Sequence, residues 1–323
     1  MALLLTHEEV VASVTMSDAI EAMESAFAEQ AEGAVTQPPR LNLKAGKGWL
    51  RVGPAVLEKT GWMGFKAMNL TPGHGNRYQI HLYRIEDGEL VSIMDAQHIT
   101  TLRTGGTSAV ATRRLASNTP GPVAVLGSGI EARAQAEAMH ALGIASSLRV
   151  YSRTPENREK TAAGLGSQLG VAAKAVGSAQ EAIEGCRTIV AAVKSNEYVL
   201  HGDWLAPGTF VCSVGTARPD QREIDPDTFR RSSVIVVDTR EGVFGEAGDA
   251  IAAKDVVSPD QVFELADLVS GKAPKRSDDQ QITLFKSVGT AVQDIALAAM
   301  VYQKAQAKGL GRDLGPFPML KGG

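Results

Sequence analysis

Residues 123–132 read Val-Ala-Val-Leu-Gly-Ser-Gly-Ile-Glu-Ala. Four apolar residues run directly into a G-x-G-x-x-A turn, and helix formers follow. In such a turn the first glycine permits a tight bend and the second lets the backbone approach a pyrophosphate. A small third residue lets the helix lie close on its strand. The free N–H groups and partial positive charge at the helix start favour phosphate. The glycine pattern alone is weak, but here the strand and helix alternation continues. LRVY at 148–151 precedes a helix over 155–169, and strand candidates follow at 171–176, 188–193, 209–214 and 234–238. This alternation predicts an α/β fold, a Rossmann doubly wound parallel sheet. Gly127, Ser128, Gly129, Ile130 and Ala132 form its expected dinucleotide cradle.

The end of the second strand bears on which dinucleotide is held. NAD sites usually place Asp or Glu there, on the ribose hydroxyls. This chain has Ser152, Arg153 and Thr154, with Arg158 one turn on. An acid would repel a 2′-phosphate, whereas arginine with hydroxyl neighbours attracts it. NADPH is the favoured cofactor. The competing reading has Arg153 as an ordinary solvated arginine, with NADH held mainly by the glycine turn.

The remainder of the chain has a different texture. Residues 7–32 read as helical, and Gln37-Pro38-Pro39 stops any helix. From 40 to 95, short alternating runs separated by Gly, Asp-Gly and Pro-Gly turns predict a mostly antiparallel sheet. Residues 97–116 read as helix, 117–122 as a linker, and 284–305 as one long helix that returns to the first domain. The expected organisation is a second, α+β domain from 1–117 with 290–323, and a dinucleotide-binding domain over 118–289.

The net charge of −3 gives no support for nucleic-acid binding. No apolar run reaches the roughly 18 residues of a membrane helix. The first residues lack the basic start of a signal peptide, so the expectation is a cytoplasmic protein. Cys186 and Cys212 read as buried free thiols of a reducing compartment. The scattered histidines show no zinc-ligand spacing, and no metal is expected.

Basic residues stand in otherwise apolar or turn contexts in the first domain: Arg40 after two prolines, Arg51 in WLRVGP, Lys66 in WMGFKAM, and Arg103 in ITTLRTGGTSA. A strand lysine among apolar neighbours costs desolvation unless paired, so a negative partner is implied. Any one of these residues read alone also fits the solvated face of a half-buried sheet.

The segments MDAQHITTLRTGGTSAVATRRLA, VAVLGSGIEARAQ, SVGTARPDQREID, EAGD at 246–249 and ITLFKSVGTAVQDIA together resemble the ornithine cyclodeaminase/mu-crystallin family. The resemblance runs in order from about residue 35 to 310. It implies a Rossmann domain plus a substrate domain that includes the last helix, and a homodimer formed through the substrate domain. It also implies that Arg40, Lys66 and Arg103 hold a substrate carboxylate. Arg103 and Thr104 would lie near the cofactor, and Arg77 and Tyr78 beside the nicotinamide. Val193, the turn Ser213-Val214-Gly215 and the segment Ser287-Val288-Gly289 would line the remaining cofactor surface.

One departure bears on the reaction. Ornithine cyclodeaminase carries a catalytic aspartate in a G-G-D-x-P segment, and aligning Pro219 puts Ala217 in its place. A methyl group cannot act as base, so cyclodeamination is disfavoured. The favoured reading is an NAD(P)H-dependent reductase of α-imino acids such as Δ1-pyrroline-2-carboxylate, Δ1-piperideine-2-carboxylate or iminosuccinate. Hydride goes to the imine carbon, and Lys66 is the first choice for proton donor. Arg51, Arg77 and His81 add positive or donor character that suits a second substrate carboxylate, or else they face solvent or a dimer partner. The alternatives are an alanine-type amino-acid dehydrogenase and a non-catalytic, mu-crystallin-like binding protein.

Overall fold

The computed structural model describes residues 2–315. Its contacts divide the chain into two compact units. One runs to Arg103 and resumes at Thr290, and the other spans Thr104–Gly289. The division falls inside a helix, whereas the sequence places it at the linker over 117–122.

The first unit opens with β1 (Leu3–Leu5), α1 (His7–Ser13) and α2 (Met16–Ala31). The single helix expected over 7–32 is therefore two. Val14 is extended, and Thr15 starts α2 with a capping box in which its hydroxyl accepts from the Asp18 amide and Asp18 accepts from Thr15. Thr6 and Glu9 do the same for α1. Each box satisfies end donors locally, which makes a second start affordable within one apolar periodicity.

β2 (Val35–Thr36), β3 (Leu41–Ala45), β4 (Gly48–Leu57), β5 (Trp62–Thr71), β6 (Gly75–Arg84) and β7 (Leu90–Asp95) follow. They build the expected antiparallel sheet in the order β7-β6-β5-β4-β2, with β3 on β4 and β1 parallel to β7. The register sets Gly53 opposite Lys66 and Lys66 opposite Ile80, with Arg51, Met68 and Tyr78 in the next row. Opposed residues share a face and successive ones alternate. Arg51, Lys66 and Tyr78 thus share a face with the buried Ala55, Leu57, Met68, Ile80 and Leu82. Phe65, Arg77 and His81 project from the other face, as do the exposed Leu41, Leu43 and Leu50. α3 (Gln97–Leu115) then carries the chain out of this unit.

The second unit alternates as expected: β8 (Gly121–Leu126), α4 (Ile130–Ala141), β9 (Ala145–Tyr151), α5 (Pro155–Leu169), β10 (Ala172–Ala175), α6 (Ala179–Ile183), β11 (Thr188–Ala191) and β12 (Phe210–Ser213). α7 (Pro226–Arg231), β13 (Val234–Val237), α8 (Arg240–Glu246), α9 (Gly248–Ala252), β14 (Phe263–Glu264), α10 (Leu265–Val269) and β15 (Thr283–Lys286) complete it. The sheet is parallel, in the order β10-β9-β8-β11-β12-β15-β13-β14. Its order reverses between β8 and β11, which is where open α/β sheets receive ligands at the carboxyl ends of their strands.

The helix expected over 284–305 is corrected at its start. Leu284, Phe285 and Lys286 are a buried strand between β12 and β13. Gly289 at φ +79° ends the extended run, and α11 (Ala291–Ala307) starts after Thr290. α11 lies against β4, β5 and β6 on the Lys66 face. The approach is close at Gly64, where a Cβ would meet Ile295 Cδ1 at 3.2 Å. β16 (Arg312–Asp313) pairs with β1. Among the described residues no helix is long and apolar enough to cross a membrane.

Candidate active site

In the first unit, the face of the sheet covered by α11 carries a buried charge cluster. Lys66 Nζ lies 2.6 Å from Asp294 Oδ2. Arg103 Nε lies 3.0 Å from Asp294 Oδ1, and its Nη1 donates to Gln293 Oε1 at 2.9 Å. Thr100, one turn before Arg103 on α3, accepts from Lys66 Nζ at 3.3 Å. Gly53 faces Lys66 across the ladder, and a Cβ there would meet the Arg40 side chain at 3.4 Å, so the stem of Arg40 lies over this row.

Three of the expected residues, Arg40, Lys66 and Arg103, are thereby brought together. The negative partner implied for Lys66 is Asp294, which the sequence reading left unnamed, and Thr100 and Gln293 were likewise not singled out. Burial and the neighbouring Arg103 and Arg40 push the Lys66 ammonium down to about 8, with Asp294 opposing them. Burial alone would raise the Asp294 carboxyl. Lys66, then Arg103 and Arg40, outweigh it and hold the group below its ordinary value. The cluster thus gathers Arg40, Lys66 and Arg103 about the Asp294 carboxylate. Gln293 Nε2 is buried without a hydrogen-bond partner among the described residues. Such a donor calls for an acceptor.

Arg51 shares the Lys66 face, half-buried, with Nε donating to Asn42 Oδ1 at 2.5 Å and its guanidinium 5.6 Å from the Trp49 ring centre. Tyr78 is also on this face. Arg77 and His81 are not brought to the cluster. They project from the opposite face, where His81 stacks on Phe65 at 4.7 Å.

In the second unit the glycine turn fits a dinucleotide on its own geometry. Gly127 has φ +130°, and a Cβ there would lie 2.5 Å from Ala192 O and 3.1 Å from Ala132 Cβ. No other residue fits, and the buried Ala132 is the packing contact between helix and strand. A Cβ on Gly129 would meet nothing within 4 Å, so the turn is open on its outer side. Gly129 is the N-cap of α4 and brings no side chain to cap its first N–H groups. An anion can take that place. Ser128 is held by Thr161, whose hydroxyl donates to its carbonyl.

At the end of β9, Arg153 is exposed, while Arg158 Nη1 donates to Ser152 O at 3.2 Å and its guanidinium lies over Tyr151. Thr154 is the N-cap of α5. Val193 follows β11, and Ser213 ends β12, with Val214 donating to Ala191 O. Asp238, missed in the sequence, accepts from Ser287 Oγ at 2.7 Å and from the amides of Val288 at 3.0 Å and Gly289 at 2.6 Å. It fixes the segment that follows β15. Thr104 is buried on α3. Ala217 is half-buried and packs on the core of this unit.

A family model described as ornithine cyclodeaminase/mu-crystallin matches residues 1–309. The chain belongs to that family. The mouse ketimine reductase mu-crystallin is 32% identical, the match covering 88% of this chain and 90% of the relative. Among solved structures, Δ1-pyrroline-2-carboxylate reductase from Thermococcus litoralis, in complex with NADH and L-proline, superposes with a TM-score of 0.92. It is 33% identical, with 97% of this chain and 100% of that one covered. An archaeal alanine dehydrogenase dimer with bound NAD gives a TM-score of 0.91 at 29% identity, with coverage of 98% and 99%. Solved complexes with nicotinamide nucleotides thus share the fold of this family member closely.

Proposed function

We propose that this chain is an NAD(P)H-dependent reductase of α-imino acids. The observation that carries the reading is the buried group of Arg40, Lys66 and Arg103 around Asp294. Buried basic side chains suit a small acid, and Arg103 carries a planar guanidinium fork that matches a carboxylate. The nucleotide, when bound at the glycine turn, supplies a hydride. The chain's own residues fix the acid by its carboxylate, which is catalysis by positioning. Lys66, held by Asp294 and Thr100, delivers a proton to the imine nitrogen. In the same reading residues 1–117 with 290–323 bind substrate and 118–289 bind the dinucleotide.

Ala217 supports reduction over cyclodeamination, since a methyl group on the apolar core offers no base. Names among the relatives favour ketimines such as Δ1-pyrroline-2-carboxylate, with an alanine-type dehydrogenase as the second reading. Arg153, exposed at the end of β9 with no acid beside it in Ser152-Arg153-Thr154, supports NADPH over NADH. The exposed Leu41, Leu43 and Leu50 on one sheet face support a homodimer formed there. The buried free thiols Cys186 and Cys212 support a reducing compartment, the cytoplasm.

The test is an imine panel. Purified protein should oxidise NADPH with Δ1-pyrroline-2-carboxylate, Δ1-piperideine-2-carboxylate or iminosuccinate, assayed beside NADH. NAD+ reduction by free L-amino acids at alkaline pH, without imine reduction, would establish the dehydrogenase instead. Nucleotide binding without any turnover would leave only a binding protein.

A further inference from the structure

Four stretches of sequence that the substrate cluster does not use meet at one point in the second unit. Lys286, the last residue of β15, is fully buried. Its Nζ donates to Ser213 Oγ at 2.8 Å, Thr216 Oγ1 at 2.7 Å and Asp249 Oδ2 at 2.9 Å. Glu223 Oε1 stands further off, at 3.4 Å. The side chains of Glu223 and Asp249 are as completely buried as that of the lysine.

One carboxylate neutralises one ammonium, and Asp249 is the nearer. A second buried carboxylate costs desolvation, and burial pushes the Glu223 carboxyl upward. What it gains instead is hydrogen bonding. Oε1 accepts from Ser213 Oγ at 2.6 Å and from the Gly215 amide at 2.7 Å, and Oε2 accepts from the Val193 amide at 2.9 Å. In its ionised form Glu223 accepts all three of these bonds.

The two amides that Glu223 grips follow neighbouring parallel strands, β11 and β12, at their carboxyl ends. That is the edge where such sheets receive ligands. The fit has no slack, because a Cβ on Gly215 would lie 2.3 Å from Glu223 Oε2 and 2.3 Å from Val193 N.

We propose that Glu223, anchored by Lys286, is a positioning residue that locks the Val193 and Gly215 segments into the shape that receives the dinucleotide. The inference rests on the nucleotide-binding reading above. The Glu223 carboxylate is engaged by Ser213, Gly215, Val193 and Lys286.

Two variants with the same charge change separate gripping from general stability. Glu223→Gln and Asp249→Asn each leave Lys286 with one carboxylate. Only Glu223→Gln turns an NH2 group toward a gripped amide. Both should lower Tm. Glu223→Gln alone should weaken NADPH and NADH binding, read by nucleotide fluorescence, by about tenfold, the loss of one charge-assisted hydrogen bond. It alone should also speed hydrogen exchange at the Val193 and Gly215 amides in the nucleotide-free protein. If Glu223→Gln does not fold, Glu223→Asp, one methylene shorter, should give the same loss. Wild-type affinity in the folded Glu223 variant, or an equal loss in Asp249→Asn, overturns the proposal. Wild-type protein that binds neither nucleotide overturns the underlying reading as well.

Discussion

Lys66 Nζ stands 2.6 Å from Asp294 Oδ2, and each side chain is 5% exposed. The same carboxylate serves Arg103 through its other oxygen. Among the described residues Asp294 is thus the acid paired with both Lys66 and Arg103, the cations that the proposed function gives to the substrate carboxylate. In Asp294→Asn the NH2 group must face either Lys66 or Arg103, and both cations lose their counter-charge. Breaking a buried pair in this way costs about 3–5 kcal/mol. Urea denaturation should show a clear fall in midpoint at neutral pH. An unchanged midpoint would mean that the cations are stabilised by something else.

The position of Lys66 near pH 8 gives reduction a pH dependence. As a proton donor the ammonium works while protonated, so kcat/KM for imine reduction should fall as pH rises through about 8. Lys66→Met should remove this limb along with roughly a hundredfold or more of the rate. Stability carries the same signature. Between about 8 and the ordinary 10.5, the unfolded chain holds a proton that the folded chain has lost. Wild-type stability should therefore rise across that window relative to Lys66→Met. A reduction rate flat from pH 6 to 10 would remove Lys66 from the role of donor.

Some of this was legible in the sequence, for identifiable reasons. Gly127 and Ala132 were readable because a strand meeting a helix across G-x-G-x-x-A has few steric solutions. Lys66 was readable as a paired lysine because its apolar neighbours forbid a lone charge. Its partner was not, because Asp294 sits in an apolar helix far along the chain and only tertiary packing unites them. Arg77 and His81 lie on the other face of the sheet from Lys66, and alternation reveals two faces of a strand without saying which faces which. In an antiparallel ladder a shift of one residue exchanges them. LFKSVG carries no local mark of a strand and so reads as part of the helix, because the ladder that holds Lys286 lies between two strands distant in sequence.

Arg51 makes the substrate side chain testable. It lies on the Lys66 face in the adjacent row, oriented by Asn42 and Trp49. If it meets a second carboxylate, Arg51→Ala should lower kcat/KM for iminosuccinate by about tenfold to a hundredfold, the range of a hydrogen bond to a charged group. Δ1-pyrroline-2-carboxylate, with one carboxylate, should be little affected. Equal losses for the two substrates would return Arg51 to a structural role in the sheet.

In the proposed function, cofactor choice rests on Arg153. It is exposed where β9 ends, while its neighbour Arg158 is engaged with Ser152 O and the Tyr151 ring. A 2′-phosphate placed there gains a charge-assisted contact that a 2′-hydroxyl cannot use, and an aspartate would repel it. Arg153→Ala should raise KM for NADPH by about tenfold or more and leave KM for NADH nearly unchanged. Arg153→Asp should go further and reverse the preference, since a carboxylate accepts from the ribose hydroxyls of NADH. Steady-state kinetics with both nucleotides at a saturating imine concentration read the effect directly. The decisive comparison is the ratio of the two kcat/KM values, because a fold defect lowers both together. A ratio unmoved by either substitution would mean that Arg153 is a solvated surface residue and that the glycine turn alone holds the cofactor.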